Sequence, residues 1–129
     1  NILIDFLADR KPFVQHAVKL FDKAEKGEVK LYASALSIAD MHYVLLKFMK
    51  DSELRSVLYD LSDYLEIMPL TKDILRSALK SRNNDFEDEI QLLTASANPK
   101  ITGIVTRNQR DFTESLLPVY GPEQAAKKV

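Results

Sequence analysis

Apolar side chains recur at helical spacing over most of the chain, and short apolar runs separate the helical stretches. The pattern predicts helices over Pro12–Lys26, Ser37–Lys50, Ser52–Tyr64, Thr71–Ser81 and Asp85–Ala97, and strands over Val29–Ala33, Leu65–Leu70, Ile101–Thr106 and Leu117–Tyr120. Strands that alternate with helices need crossover connections, which are typical of parallel sheets covered on both faces. We therefore expect an α/β fold with a mainly parallel central sheet.

The composition fits one globular domain and excludes several classes of protein. The 129 residues are 46% hydrophobic and 29% charged, as in an ordinary single-domain protein. The absence of Cys excludes disulfides and thiolate metal sites, and it favours a reducing compartment such as the cytoplasm. No run of about 18 apolar residues occurs, so we expect no membrane-spanning helix. The net charge of −1 argues against a protein that coats nucleic acid, but it leaves room for an RNA-cleaving enzyme with a local basic surface.

Four polar side chains are placed to meet at one edge of the predicted sheet. Asp40 lies early in the helix that follows the first predicted strand, and Asp88 lies in the first turn of the last predicted helix. Asn108 and Asp111 come directly after the strand Ile101–Thr106. In a parallel α/β fold the starts of such helices and the ends of such strands share the edge at which ligands bind.

Carboxylates gathered at one edge indicate a site for a hard divalent cation. They repel one another unless a cation joins them, and Mg²⁺ or Mn²⁺ prefers oxygen ligands. Hydrolysis of a phosphodiester needs a nucleophilic water at neutral pH and a counter-charge for the phosphate oxygens, both of which such an ion supplies. The sequence offers no apparent Ser/His/Asp set for nucleophilic catalysis, so we expect a metal-dependent phosphodiesterase.

Four segments of the chain together resemble the PIN domain family, and most of all its VapC-type ribonuclease toxins. They are Asn1–Asp5 (Asn-Ile-Leu-Ile-Asp), Ser37–Asp40 (Ser-Ile-Ala-Asp), Asp85–Asp88 (Asp-Phe-Glu-Asp) and Thr106–Phe112 (Thr-Arg-Asn-Gln-Arg-Asp-Phe). The resemblance implies a three-layer α/β/α sandwich and Mg²⁺- or Mn²⁺-dependent cleavage of RNA. It also implies a role as the toxin of a type II toxin–antitoxin pair, with a small antitoxin as partner and a homodimer as the assembly.

The resemblance also assigns roles to individual residues. Asp40 stands where the family usually has Glu, Asp88 matches the third acidic position, and Asn108 and Asp111 fall in the segment that supplies the fourth. These four residues are the expected metal ligands, and the three aspartates are the expected catalytic residues. Asn1 matches the Asn of the family's opening Asp-Thr-Asn, so we expect the first acidic ligand and the family's central first strand upstream of Asn1.

Five further residues surround the expected site. Asp85 and Thr106 are candidates for supporting roles beside Asn1, although Asp85 also suits a simple helix N-cap. Arg82, Arg107 and Arg110 flank the site in the sequence, and their guanidinium groups suit RNA phosphates.

A non-catalytic PIN-like module that binds RNA or protein is the alternative. Asp40 is one methylene shorter than the usual Glu, and Asn108 is neutral where many relatives carry Asp. Both departures weaken the expected metal site. An Asp two residues before Asn1 would favour the enzyme, and a neutral residue there would favour the binding module.

Overall fold

Short strands separate single helices and consecutive pairs of helices in the computed structural model, which describes residues 3, 14–106, 109–112 and 115–128. The elements are α1 (Val14–Glu25), β1 (Tyr32–Ser34), α2 (Ala35–Leu45), α3 (Asp51–Ser62), β2 (Glu66–Met68), α4 (Lys72–Lys80), α5 (Phe86–Ser96), β3 (Ile104–Val105), a 3₁₀ helix (Gln109–Phe112), β4 (Val119–Tyr120) and α6 (Pro122–Lys128). None of the described helices has the length and hydropathy needed to cross a membrane.

Both strand pairings of the described residues are parallel. Strand β1 lies beside β2, with Ala33 opposite Ile67, and β3 lies beside β4, with Ile104 opposite Val119. The predicted α/β class with parallel strands is therefore confirmed. The strands are shorter than predicted, and over the described residues they form two separate two-stranded sheets.

Three of the helices begin at side chains that cap them. The Oγ of Ser34 accepts a hydrogen bond from the backbone N of Ser37 at 3.0 Å, so Ser34 and not Ser37 is the N-cap of α2. Thr71 caps α4 in the same way, and Asp85 caps α5 through a 2.9 Å bond from the backbone N of Asp88. Because Ser34 is also the last residue of β1, α2 starts at the carboxyl edge of that strand.

The main hydrophobic core lies between α1, α2 and α3. It contains Phe21, Met41, Leu45, Leu54, Leu58 and Leu61, of which Met41 and Leu54 are fully buried. Truncation of a buried Leu or Met side chain to Ala costs about 2–5 kcal/mol, so this cluster holds the helices together.

Some apolar positions predicted to face the core are exposed instead. The apolar spacing places Phe48 on the inner face of the second predicted helix, but α2 ends at Leu45 and Phe48 is 75% exposed. In α4 the spacing places both Ala78 and Leu79 toward the core; Ala78 is buried, whereas Leu79 is 66% exposed. A nine-residue helix presents one narrow stripe to the core, and Leu79 lies beside that stripe and not on it.

The end of the first helix follows from the sequence, whereas the last two helical elements do not. Gly27 ends α1 with φ of 76°, a left-handed conformation that glycine adopts without steric cost, as its position in the sequence predicts. The 3₁₀ helix and α6 were not predicted, because both are too short for a clear hydrophobic period.

Candidate metal centre

One cavity of about 740 Å³ is lined by residues of both strand pairs, and beside Glu28 four further carboxylates line it. They belong to Asp40, Glu87, Asp88 and Asp111, which come from three separate segments of the chain. Asp40 projects from α2, Glu87 and Asp88 from the first turn of α5, and Asp111 from the 3₁₀ helix. The fold thus brings the three aspartates predicted from the sequence to one cavity and adds a glutamate.

Asp111 owes its position to elements near the end of the chain. Phe112, its neighbour in the 3₁₀ helix, is buried. Gln109 donates hydrogen bonds from Nε2 to the carbonyl of Val119 at 3.2 Å and to Oε1 of Gln124 at 3.0 Å. The 3₁₀ helix is therefore tied to both β4 and α6, and these ties hold Asp111 at the cavity.

Asp88 lies in the most strongly perturbed electrostatic environment of the cavity. Its pKa is raised from 3.8 to about 6, first by burial and then by the negative charges of Asp85 and Asp111. Burial removes hydration from the charged form, and each neighbouring carboxylate disfavours a further negative charge. A cation near Asp88 would relieve both effects.

Glu87 is a member of the acidic cluster that was not among the predicted site residues. Its pKa is raised, mainly by the negative charge of Asp40 and further by partial burial and a hydrogen bond with Asp40. The residue belongs to the acidic run Asp85–Glu89, and its neighbour Asp88 was singled out instead. The acidic run places Glu87 in the same first helical turn as Asp88, but its pairing with Asp40 depends on how α2 and α5 pack.

The acids act on one another across the cavity. The charges of Asp40, Asp85 and Asp88 raise the pKa of Glu87, and those of Asp85 and Asp111 add to burial in raising the pKa of Asp88. Their oxygen donors fit Mg²⁺ or Mn²⁺ in chemistry. Across the described ranges, however, no three Asp, Glu, His or Cys side chains approach closely enough to enclose an ion. The donor types therefore fit a hard cation, whereas the described side chains do not form a closed coordination shell.

The remaining predicted residues occupy different places. Thr106 lines the cavity, and its backbone N donates to the carbonyl of Tyr120 at 2.9 Å. Asp85 is the N-cap of α5, and its charge acts on Asp88. Arg82 and Arg110 are exposed and do not line the cavity. The predicted residues Asn1, Arg107 and Asn108 lie outside the described part of the chain.

The sequence matches the family model of the PIN domain over residues 1–110. The chain belongs to the PIN domain family. The match includes Asp40, Glu87 and Asp88 and ends one residue before Asp111. No curated protein and no solved structure matches the chain.

Membership of the PIN domain family agrees with the fold and gives the cavity a general function. PIN domains have an α/β fold, are usually nucleases and usually use divalent metals. A nuclease-type function is therefore supported for this PIN domain, and the acidic cavity is its candidate active site.

Proposed function

We propose that this PIN domain is a Mg²⁺- or Mn²⁺-dependent endoribonuclease. The observation that carries the proposal is the convergence of Asp40, Glu87, Asp88 and Asp111 on one cavity of a PIN domain. Burial, together with the negative charges of Asp85 and Asp111, raises the pKa of Asp88 to about 6. Such crowding is costly in a protein without a cation, and pKa shifts of this kind are typical of functional sites.

The acids would hold the ion, and the bound ion would supply a water of lowered pKa and a counter-charge for the phosphate. Asp40, Asp88 and Asp111 are the proposed ligands, with Glu87 beside Asp40. With a pKa of about 6, Asp88 is mostly ionised at neutral pH. In acid, a proton competes with the cation for its carboxylate. The protein's contribution is to hold the carboxylates and keep positions open for water and phosphate.

RNA is the proposed substrate. Arg82 and Arg110 are exposed on the segments that precede α5 and carry Asp111, so they can contact phosphates beside the cavity. Arginine binds phosphate through a planar fork of donors and suits this role. Arg107 belongs to the same proposal through the sequence alone, and Asn108 is a proposed metal ligand on the same basis.

The toxin role is proposed from the resemblance to VapC-type proteins, with a small antitoxin, a homodimer and the cytoplasm as partner, assembly and location. A groove of about 400 Å³ between α1 and α3 supports a docking face, since Val18 and Tyr64 line it and are about half exposed. Growth arrest on induced expression, relieved by the product of an adjacent gene, would support the toxin role. Normal growth at a confirmed protein level would count against it.

A binding module without catalysis is the second candidate. It is favoured because no three acidic or His side chains of the described residues are arranged to enclose an ion, and because the side chain of Asp40 is short. An Asp in place of Glu shortens the reach of the ligand by one methylene, which weakens metal affinity if α2 does not move closer to α5.

RNA cleavage by the full-length protein distinguishes the two candidates. We expect cleavage with Mn²⁺ or Mg²⁺ that stops with EDTA and in an Asp88→Asn variant. The matched control is Asp73→Asn, because Asp73 also lies in the first turn of a helix but is exposed and away from the cavity. No cleavage of several RNAs by a folded, antitoxin-free protein would favour the binding module.

A further inference from the structure

A hydrogen-bonded cluster joins the two helices that carry Asp40 and Asp88. Ser34 Oγ donates to Gln91 Oε1 at 2.7 Å, and Gln91 Nε2 donates to Ser37 Oγ at 2.9 Å. The same Ser34 Oγ accepts the bond from the backbone N of Ser37 that caps α2. The carboxamide of Gln91 on α5 therefore contacts both hydroxyls at the start of α2, more than 50 residues away in the sequence.

The cluster lies one helical turn from the acids on each side. Ser37 precedes Asp40 by three residues, and Gln91 follows Asp88 by three and Glu87 by four. Residues at these spacings share one helix face. All these side chains line the same cavity, so the contact between α2 and α5 is made directly beside the carboxylates.

The chemistry of the cluster requires a carboxamide at position 91. The Ser34 hydroxyl has a single hydrogen, and the 2.7 Å bond directs it to Gln91 Oε1. Ser37 Oγ accepts a hydrogen bond from Gln91 Nε2. The two hydroxyl oxygens lie 3.0 Å apart, and Ser34 is only 4% exposed. The two bonds of Gln91 therefore join the start of α2 to α5 beside the cavity.

We infer that Gln91 is a positioning residue that sets the distance between Asp40 on α2 and Asp88 on α5 through its hydrogen bonds to Ser34 and Ser37. The inference deepens the proposed function and rests on it where metal binding is concerned. A metal shared by Asp40 on α2 and the acids of α5 depends on the separation of the two helices. Hydrogen bonds that orient metal ligands change metal affinity about 10–100-fold when they are removed.

The test compares Gln91→Met with two other variants. Gln91→Met keeps the side-chain length and removes both hydrogen bonds, and Ser37→Ala removes one of them while Ser34 keeps its cap. Ser81→Ala is the matched control, because Ser81 Oγ donates at 2.6 Å to the buried Glu89 and so ties α5 to the end of α4 instead of α2. The control loses this bond on another face of the same helix, together with the bond that Ser81 Oγ accepts from the backbone N of Asn83 at 3.1 Å.

The first readout is Mn²⁺ affinity measured by calorimetry, with urea unfolding as the measure of stability. We expect Gln91→Met to raise the Kd at least tenfold and Ser81→Ala to change it less than twofold at a similar loss of stability. Addition of Ser37→Ala to Gln91→Met should raise the Kd no further, because both act through one contact. Equal Kd values for wild type, Gln91→Met and Ser37→Ala would overturn the inference.

The second readout needs no metal and separates this inference from the proposed function. The chain has no native Cys, so nitroxide labels placed by Tyr43→Cys on α2 and Ser96→Cys on α5, both exposed, report the distance between the helices. We expect Gln91→Met to shift or broaden the distance distribution and Ser81→Ala to leave it unchanged.

The two readouts fail in different ways. If the wild type binds no Mn²⁺, the proposed function fails and the distance distribution alone decides whether Gln91 sets the spacing of the helices. If that distribution is the same with Gln91→Met as in the wild type, the inference is wrong whatever the metal result.

Discussion

Replacement of Asp88 by Asn should stabilise the metal-free protein at neutral pH, although it removes a candidate metal ligand. The pKa of Asp88 is about 6 in the folded protein against an ordinary value of 3.8. Between these pH values the folded chain holds a proton that the unfolded chain has released. The contribution of Asp88 to the free energy of unfolding therefore falls as the pH rises from about 4 to about 6, and it stays low above that.

The size of the effect follows from the difference between the two pKa values. Each pKa unit corresponds to 1.36 kcal/mol, so the full effect is about 3 kcal/mol. Water and mobile ions reach the cavity and screen the repulsion, and we therefore expect about 1–2 kcal/mol. For a domain of this size the Asn variant should melt about 3–8 °C higher at pH 7.5.

Urea unfolding with EDTA at pH 4, 5, 6 and 7.5 measures the effect, and Asp73→Asn is the control. Asp73 lies at the exposed start of α4, so its variant loses only a favourable interaction with the helix dipole, about 0.3–1 kcal/mol. The two variants should thus differ in sign at pH 7.5, and the gain from Asp88→Asn should vanish near pH 4. A loss of stability in Asp88→Asn at pH 7.5, or a gain of the same size at pH 4, would refute the electrostatic reasoning.

Three further predictions concern the same site and its supports. Asp40→Asn should lower the pKa of Glu87 toward its ordinary value, because the charge of Asp40 is the main cause of the rise; a carboxyl NMR titration measures it, and an unchanged Glu87 would contradict the proximity of the two acids. Gly103→Ala should destabilise the fold by about 1–3 kcal/mol in urea, since the new Cβ would lie 2.8 Å from Cε2 of Tyr120; a neutral result would mean that the ring moves aside freely. Thr71→Ala should cost about 1 kcal/mol of unfolding free energy through loss of the α4 N-cap, whereas Thr71→Ser should keep most of it.

Element types were predictable from this sequence because local signals and packing agree. The caps at Ser34, Thr71 and Asp85 coincide with the starts of apolar helical stripes, and Gly27 coincides with the end of one. Strand bounds were not predictable to the same degree. A strand ends where its hydrogen-bonded partner ends, and the sequence around Val29–Ala33 contains no information about the length of β2.

The candidate site was predictable as a place on the fold but not as a set of contacts. Topology alone assigns Asp40, Asp88 and Asp111 to one edge, and the three line one cavity. The pairing of Asp40 with Glu87 depends on the rotation of α2 and α5 about their axes, which tertiary packing determines. The hydrogen bonds of Gln91 could not be predicted either, because its partners Ser34 and Ser37 are distant in the sequence.

The mutual repulsion of the acids links the stability of this protein to its proposed chemistry. Asp40 is held by α2, Glu87 and Asp88 by α5 and Asp111 by the 3₁₀ helix, and the repulsion among these carboxylates opposes folding when no cation is bound. A bound cation would replace this repulsion with attraction. It would stabilise the folded protein by an amount that depends on the concentration of the cation and its affinity. A rise in melting temperature with Mn²⁺ that disappears in Asp88→Asn would therefore show that repulsion and metal binding act on the same carboxylates, and an equal rise in both proteins would place the cation elsewhere.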